Sequence, residues 1–171
     1  ITGTCSAGTS IAGVAATAVE GAVIENCTNN VSFDFKAADP KDILVSIAGI
    51  AADVKGLAVT KCTNNADVHV KDLANTGNGG KGLQLAGIVG YARAATAVTE
   101  CINNGDFSAA SGRGGGIVGT LDGSTVIKCT NNGTIEDDKF GQFGGSQDVY
   151  NNKRMGGLVG GTSGTTSIED C

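Results

Sequence analysis

The stretch LAGIVGYARAATAVTECINNG, residues 85–105, decides the fold, because four other segments of the chain repeat its pattern. Each copy has a block of small and apolar residues around a glycine, and a cysteine follows that glycine after 13 or 14 residues. These glycines and cysteines are Gly13 with Cys27, Gly49 with Cys62, Gly87 with Cys101, Gly116 with Cys129, and Gly157 with Cys171. Self-similarity at a period of about 20–50 residues is typical of stacked-repeat folds. The sequence therefore predicts a repeat architecture.

The repeats differ in length at one place. Successive block glycines are 36, 38, 29 and 41 residues apart, while the step from glycine to cysteine barely changes. Almost all of the variation follows the Asn-Asn pair that comes after the cysteine, in the inserts 36–46, 71–84 and 136–154. Each repeat of a solenoid packs on its neighbours and tolerates inserts on one side. We therefore expect one rung per repeat, with the inserts emerging from one side.

The local residue pattern favours strands over helices. The apolar residues that flank each cysteine are β-branched or aromatic, and glycines and Asn-Asn pairs punctuate every copy. The predicted fold is all-β, a parallel β-solenoid of about four to five rungs. In the shortest repeat we expect strands at 87–91, 96–102 and 105–109. A bend at Thr99-Glu100 would let Val98 and Cys101 both point inward, since residues three apart in a straight strand face opposite sides.

Two interior columns follow from this register. One holds the apolar residues that lie three positions before each cysteine, which are Ile24, Val59, Val98, Val126 and Ile168, and the other holds the five repeat cysteines. We expect these cysteines to be reduced and buried, because parallel side chains in register are poorly placed for the torsion of a disulfide. Disulfides and a metal site remain alternatives, although the chain lacks CxxC spacing and has a single histidine, His69.

Composition narrows the class of protein. The chain has 171 residues, a net charge of −5 and no apolar run long enough to span a bilayer. These features favour one solenoid domain over residues 1–171, a fragment or mature part of a longer protein, with no membrane span. The acidic balance argues against nucleic acid as a partner, since nucleic-acid binding needs a basic face.

Catalytic signals are weak. The string Gly77-Asn78-Gly79-Gly80-Lys81-Gly82 matches the dinucleotide-binding motif, but a repeat core follows it where that motif needs a helix. His69 has no nucleophile motif around it and is expected to be a partly exposed strand residue. We therefore predict a protein that is not an enzyme and has no cofactor and no metal.

The longest insert carries the candidate binding residues. It contains Phe140, Phe143 and Tyr150, three of the seven aromatic residues of the chain, beside the carboxylates Asp137 and Asp138. Aromatic anchors with a polar rim are typical of contact sites. The alternative is that these aromatic residues pack the insert onto the solenoid.

Two further columns follow each cysteine. Thr28, Thr63, Ile102 and Thr130 are expected to point outward, which β-propensity explains as well as an ice-binding surface would. The Asn pairs after them are expected to stack, with side chains hydrogen-bonded along the solenoid axis, and asparagine also tolerates the left-handed turn conformation.

The block, the spacer and the cysteine with its following asparagines resemble the GLUG-type repeats of bacterial surface proteins. Residues 87–105, 115–133 and 155–171 match best. The resemblance implies a bacterial cell-surface or secreted β-solenoid, an adhesin or display scaffold, whose partner is a protein or glycan ligand or a neighbouring subunit. A polysaccharide-active β-helix enzyme and a purely structural spacer or assembly subunit are the alternatives.

Overall fold

The structure, a computed structural model, describes residues 2–5, 10–37, 45–71, 83–109, 112–136 and 154–171. These residues form short strands and contain no helix. Strand β1 (Thr2–Cys5) precedes four rungs of five strands each and a fifth rung of three strands. The prediction of a parallel β-solenoid of several rungs is confirmed.

Each rung repeats the same strands. The first comprises β2 (Ser10–Ala12), β3 (Ala15–Val19), β4 (Ile24–Glu25), β5 (Thr28–Asn29) and β6 (Phe33–Ala37). The second comprises β7 (Val45–Ala48), β8 (Ala51–Lys55), β9 (Ala58–Thr60), β10 (Thr63–Asn64) and β11 (Val68–Lys71). The third comprises β12 (Leu83–Ala86), β13 (Val89–Arg93), β14 (Ala97–Thr99), β15 (Ile102–Asn103) and β16 (Phe107–Ala109). The fourth comprises β17 (Arg113–Gly115), β18 (Val118–Asp122), β19 (Thr125–Ile127), β20 (Thr130–Asn131) and β21 (Ile135–Glu136). The fifth comprises β22 (Arg154–Gly156), β23 (Val159–Ser163) and β24 (Ser167–Glu169).

Equivalent strands of successive rungs pair in parallel and in register, which gives five sheets. In the order of one rung, sheet I contains β2, β7, β12, β17 and β22, and sheet II contains β3, β8, β13, β18 and β23. Sheet III contains β4, β9, β14, β19 and β24, and sheet IV contains β5, β10, β15 and β20. Sheet V contains β6, β11, β16 and β21, with β1 on its edge.

The strands are shorter and more numerous than the sequence predicts. The expected strand 96–102 is divided into β14 and β15 at Glu100, whose φ of 54° is in the left-handed region. The predicted bend is therefore present, and it lets Val98 and Cys101 both face the core. The residue before the cysteine is left-handed in every rung, as Asn26, Lys61, Glu100, Lys128 and Asp170. The left-handed corner therefore lies before the cysteine, and the described Asn pairs after it have no positive φ. The strand that precedes the glycine, β12, was not predicted.

The interior columns are confirmed by the register. Val98 pairs with Val59 on one side and with Val126 on the other, and all three side chains are fully buried. Ile24 begins this column and is buried, whereas Ile168 lies on the last rung and is 45% exposed.

The core has two apolar clusters. One lies between sheets II and III and contains residues such as Val54, Val98 and Cys101. The other lies between sheets I and V and contains residues such as Ile47 and Phe107. The turn between sheets I and II, at the block glycine, reaches inward to the asparagine that follows the cysteine by two positions. The cross-section therefore has two lobes, which are divided where this glycine meets this asparagine.

This glycine–asparagine contact explains the invariant block glycine. A Cβ atom on Gly87 would lie 2.2 Å from Cγ and Oδ1 of Asn103, and one on Gly49 would lie 2.3 Å from the same atoms of Asn64. Any side chain here would displace the asparagine, because real Cβ atoms do not approach heavy atoms this closely.

The inner asparagines form a buried hydrogen-bonded ladder. Asn29 Nδ2 donates to Asn64 Oδ1, Asn64 Nδ2 donates to Asn103 Oδ1, and Asn103 Nδ2 donates to Asn131 Oδ1, each over 2.8 Å. Each Nδ2 also donates to the carbonyl two residues further along the chain. Buried amides are costly unless paired, and here the ladder satisfies them. The prediction that the asparagines stack along the axis is confirmed.

The inserts leave the solenoid at one corner. Residues 38–44, 72–82, 110–111 and 137–153 each join a strand of sheet V to the next strand of sheet I. Their bounds are narrower than predicted, because Lys36, Lys71, Gln84 and Arg154 belong to strands.

Candidate functional site

The predicted binding residues lie in the longest insert. Asp137, Asp138, Phe140, Phe143 and Tyr150 all lie outside the described residues, and so do residues 77–82 with their glycine-rich string. Glu136 and Arg154, which flank the longest insert, lie in neighbouring sheets at the insert corner.

The outer faces of sheets I and II meet beside this corner. Ser46 Oγ donates a hydrogen bond to the carbonyl of Ala52, and a Cβ on Gly90 would lie 2.2 Å from Ser46 Oγ. Small residues on sheet II therefore let the two sheets approach closely. Sheet I contributes the column Ser10, Ser46, Gln84, Arg113 and Arg154, and sheet II contributes the column Thr17, Asp53, Tyr91, Thr120 and Gly161.

Two arginines lie over a glycine where these columns meet. A Cβ on Gly161 would be 3.2 Å from Cδ of Arg113 and 3.7 Å from Cδ of Arg154. Arg113 is half-buried and Arg154 is exposed. Neither forms an ion pair with another described residue. We call Arg113 and Arg154 the arginine cluster. Arg93, the third arginine, lies two residues from Tyr91 on the same face of sheet II.

Arg93 is already neutralised. Its Nε and Nη2 donate to Oδ1 and Oδ2 of Asp53 over 3.0 and 2.9 Å, a bidentate pair. This hydrogen bonding to Asp53 raises the pKa of Arg93 above its already high value. The guanidinium carbon also lies 5.3 Å from the centre of the Tyr91 ring.

Asp122 is held by hydroxyl groups. Ser163 Oγ donates to its Oδ1 over 2.9 Å, and Tyr91 Oη donates to its Oδ2 over 3.3 Å. Burial, followed by the charge of Asp122, raises the pKa of Tyr91 above its ordinary value. Tyr91 therefore remains a neutral donor at neutral pH.

Two polar side chains below the arginines lack partners. Gln84 is 5% exposed and Thr120 is 2% exposed, and neither Gln84 Oε1 nor Thr120 Oγ1 has a hydrogen-bond partner. Gln84 pairs with Arg113 in sheet I, and Thr120 pairs with Gly161 in sheet II. Buried polar atoms without partners are rare in native proteins. The contact between the outer faces of sheets I and II is therefore unusual, because it contains two buried oxygens without hydrogen-bond partners.

The opposite side of the molecule carries regular outer columns. Thr28 and Thr130 are exposed and Thr63 is half-buried, so the threonines point outward as predicted. Beside them a second asparagine ladder runs over the surface, in which Asn65 Nδ2 donates to Asn30 Oδ1 over 2.9 Å and Asn104 Nδ2 to Asn65 Oδ1 over 2.8 Å. These groups satisfy one another along the axis.

His69 is a half-buried strand residue, as predicted. Its Nδ1 shares a 2.7 Å hydrogen bond with Ser108 Oγ, and its Nε2 lies 3.9 Å from Asp67 Oδ2. The ring therefore contacts the serine through Nδ1, whereas the base of a serine-hydrolase triad does so through Nε2. Ser108 is also buried, so a substrate could not reach its hydroxyl group.

The described repeat cysteines are free. Cys62, Cys101 and Cys129 are buried, Cys27 is half-buried, and Cys171 is exposed on the last rung. Three sulfurs accept the backbone N–H of the cysteine one rung before them: Cys62 N–H donates to Cys101 Sγ over 3.5 Å, Cys101 N–H to Cys129 Sγ over 3.4 Å, and Cys129 N–H to Cys171 Sγ over 3.3 Å. The cysteine column thus satisfies the amides that follow the left-handed corners. Burial raises the pKa of Cys27, and the thiol–thiol hydrogen bonds with Cys129 and Cys62, followed by burial, raise that of Cys101.

The arginine cluster was missed at the sequence level, although a signal was present. Gln84, Arg113 and Arg154 each lie three residues before a block glycine. The constant distance of these three residues from the block glycine is the signal that identifies this column. The position of Arg113 and Arg154 opposite Gly161 cannot be predicted from the sequence, because the close approach of sheets I and II does not produce a periodic residue pattern.

Comparison with known protein families, with characterised proteins and with solved structures finds no match for this chain. Among the described residues, no helix is long and apolar enough to cross a membrane. The same residues contain no group of three or more His, Cys, Asp or Glu side chains that could hold a metal ion.

Proposed function

We propose that this chain is a display scaffold of the bacterial cell surface or of a secreted protein, an adhesin-type module that binds a protein or glycan ligand at its insert corner. The observation that carries the proposal is the common exit of the inserts. Four ranges of different length, 38–44, 72–82, 110–111 and 137–153, join sheet V to sheet I on successive rungs. Loops of variable length at one place in every repeat commonly build a binding face.

The scaffold beneath the inserts suits this role. Successive rungs are joined by parallel strands, by the buried asparagine ladder and by the outer asparagine ladder. Such a ladder fixes the spacing between rungs, and it therefore fixes the spacing between the exit points of the inserts. Binding residues on loops that a rigid scaffold positions are a general arrangement in proteins.

Two carboxylates on the outer face of sheet II favour binding over catalysis there. Glycoside hydrolysis needs two carboxyl groups that face one reaction centre. On the outer face of sheet II, Asp53 is held by Arg93 and Asp122 by Tyr91 and Ser163. The resemblance of the repeats to the GLUG-type repeats of bacterial surface proteins supports a location at the cell surface.

The test is to shorten the inserts one at a time. Residues 137–153 are replaced by a short Gly-Ser turn, and a matched variant receives the same turn in place of 38–44. Both variants should keep the melting temperature within a few degrees, because every described strand of the rungs is left unchanged. Binding to host cells and to arrays of immobilised glycans and matrix proteins is then compared with the wild type. We expect the first variant to lose a ligand that the wild type binds. If both variants fold and bind as the wild type does, the insert corner is not the binding site.

A further inference from the structure

Two of the three arginines of the chain, Arg113 and Arg154, lie side by side. They are neighbours in sheet I, and both side chains pass beside Gly161 of sheet II. Arginine binds carboxylate, sulfate and phosphate groups through a planar fork of donors that lysine lacks. The cluster therefore suggests recognition of an oxyanion.

We propose that Arg113 and Arg154 bind the carboxylate or sulfate groups of an acidic glycan. This inference rests on the proposed function and names the chemical class of its ligand. It places one contact of that ligand on the solenoid itself, at the strands that follow the inserts 110–111 and 137–153.

Charge and geometry select these two arginines. The guanidinium of Arg93 is already occupied by Asp53, over 3.0 and 2.9 Å. Arg113 and Arg154 make no ion pair with a described carboxylate, and they lie on paired strands, which are spaced by about 4.8 Å. Gly161 provides the space, since their side chains pass over a residue with no Cβ. Two forks one rung apart can hold one oxyanion between them or two on successive groups.

The unpartnered oxygens below the arginines point to the rest of the ligand. Gln84 precedes Arg113 in its column, Thr120 precedes Gly161 in the facing column, and both side chains are more than nine-tenths buried. Gln84 Oε1 is an acceptor without a donor, and Thr120 Oγ1 also lacks a partner. Hydroxyl and N–H groups donate to such oxygens, whereas ionised phosphate diesters and carboxylates have no hydrogen to donate. An acidic sugar, which carries many hydroxyl groups beside its oxyanions, fits this combination.

The probes are chondroitin sulfate, which carries sulfate and carboxylate groups, and polygalacturonate, which carries carboxylate alone. Dextran is the neutral control, and polyglutamate is the acidic peptide control. Binding is measured by isothermal titration calorimetry at 0.15 M salt with the whole chain. The decisive variant is Arg113→Gln with Arg154→Gln. Its matched control, Lys61→Gln with Lys128→Gln, removes the same charge from the corner between sheets III and IV, where both lysines are exposed.

We expect at least one of the two acidic glycans to bind and the arginine variant to bind it at least ten-fold more weakly. The lysine variant should change the Kd less than two-fold. Arg113→Lys with Arg154→Lys should fall between wild type and the glutamine variant, because it keeps the charge and loses the fork. Asp122→Asn should strengthen binding, since the Asp122 carboxylate lies on the same face of sheet II and repels an anion. If the double arginine variant does not fold, Arg154→Gln alone, at an exposed position, is compared with Lys128→Gln.

The proposal is overturned if neither acidic glycan binds the wild type, or if the arginine and lysine variants weaken binding equally. Binding of polyglutamate as tight as that of the glycans would assign the site to acidic peptides and would also overturn it. The protein with residues 137–153 replaced separates the two ideas. If it keeps arginine-dependent glycan binding, the insert-based function fails while the arginine assignment stands. If the insert variant loses other ligands while the arginine variant binds the acidic glycan as the wild type does, the arginine assignment fails while the insert-based function stands.

Discussion

Substitution of Gly87 by alanine tests the glycine–asparagine contact that divides the core. Gly87 does not have a positive φ, so alanine is compatible with its backbone conformation. The added Cβ would lie 2.2 Å from Cγ and Oδ1 of Asn103 and 2.4 Å from the carbonyl oxygen of Gly116. Because those atoms belong to a buried amide and to the backbone, the substitution must displace the Asn103 side chain or separate the rungs.

The cost has three parts. Overpacking a filled interior costs about 1–3 kcal/mol. Displacing Asn103 breaks its 2.8 Å bonds with Asn64 and Asn131, and each net hydrogen bond contributes about 1 kcal/mol. Alanine restricts the unfolded chain more than glycine and offsets about 0.4–1 kcal/mol of this. We therefore expect Gly87→Ala to lower the free energy of unfolding by roughly 2–5 kcal/mol.

The assay is denaturant unfolding followed by circular dichroism, with Gly157→Ala as the matched control. Gly157 occupies the same repeat position on the last rung, but a Cβ there would meet no atom within 4 Å. The control should differ from wild type by less than about 0.5 kcal/mol. Removing the asparagine should relieve the crowding, so Gly87→Ala with Asn103→Ala should be less destabilised than the sum of the single variants by about 0.5–3 kcal/mol. Equal stability of Gly87→Ala and Gly157→Ala, or strict additivity of the double variant, would refute the reasoning.

Three further outcomes follow from the same structure. Val98→Asp should abolish soluble expression or lower the melting temperature sharply, because it places a charge at a fully buried position, and a wild-type melting curve would contradict the interior column. Asn64→Ala should lower the free energy of unfolding by about 2–3 kcal/mol, because it leaves buried partners in the ladder unsatisfied. Asn65→Ala, at the exposed neighbouring position, should lower it by less than about 0.5 kcal/mol. Equal losses of stability in urea for the two variants would contradict the burial of the inner ladder. In the absence of reductant, an aromatic disulfide reagent should label the exposed Cys171 in the native protein and Cys62, Cys101 and Cys129 only after denaturation, whereas intact disulfides among them in peptide mass spectra would count against the thiol column.

The sequence predicts the rung but not its cross-section. The constant step from Gly87 to Cys101 and the β-branched Val98 lead to a parallel solenoid, because every rung must offer the same residues to its neighbours. The bend at Glu100 follows from the need to turn Val98 and Cys101 inward. The two-lobed core does not follow, since it depends on a contact between Gly87 and Asn103, which are 16 residues apart and face each other across the interior.

The candidate site can likewise be predicted from the sequence only in part. The repeat lengths predict that the inserts leave the rungs at one corner, because insertions accumulate where a rung tolerates them. Arg113 and Arg154 are also readable as a column, three residues before the block glycines. Their meeting with Gly161 depends on how closely sheets I and II approach, which is decided by small side chains such as Gly90 rather than by a periodic pattern. The aromatic residues Phe140, Phe143 and Tyr150 remain a sequence prediction.

The most direct test of the account is a methyl NOESY spectrum of the protein with labelled valine and isoleucine. In-register rungs place the methyl groups of Val98 beside those of Val59 and of Val126, one strand spacing of about 4.8 Å away on either side, and place Val59 two spacings from Val126. The account predicts strong cross-peaks from Val98 to Val59 and to Val126, and none between Val59 and Val126. A spectrum in which Val98 contacts neither residue, or in which Val59 contacts Val126 directly, would contradict the stacked solenoid.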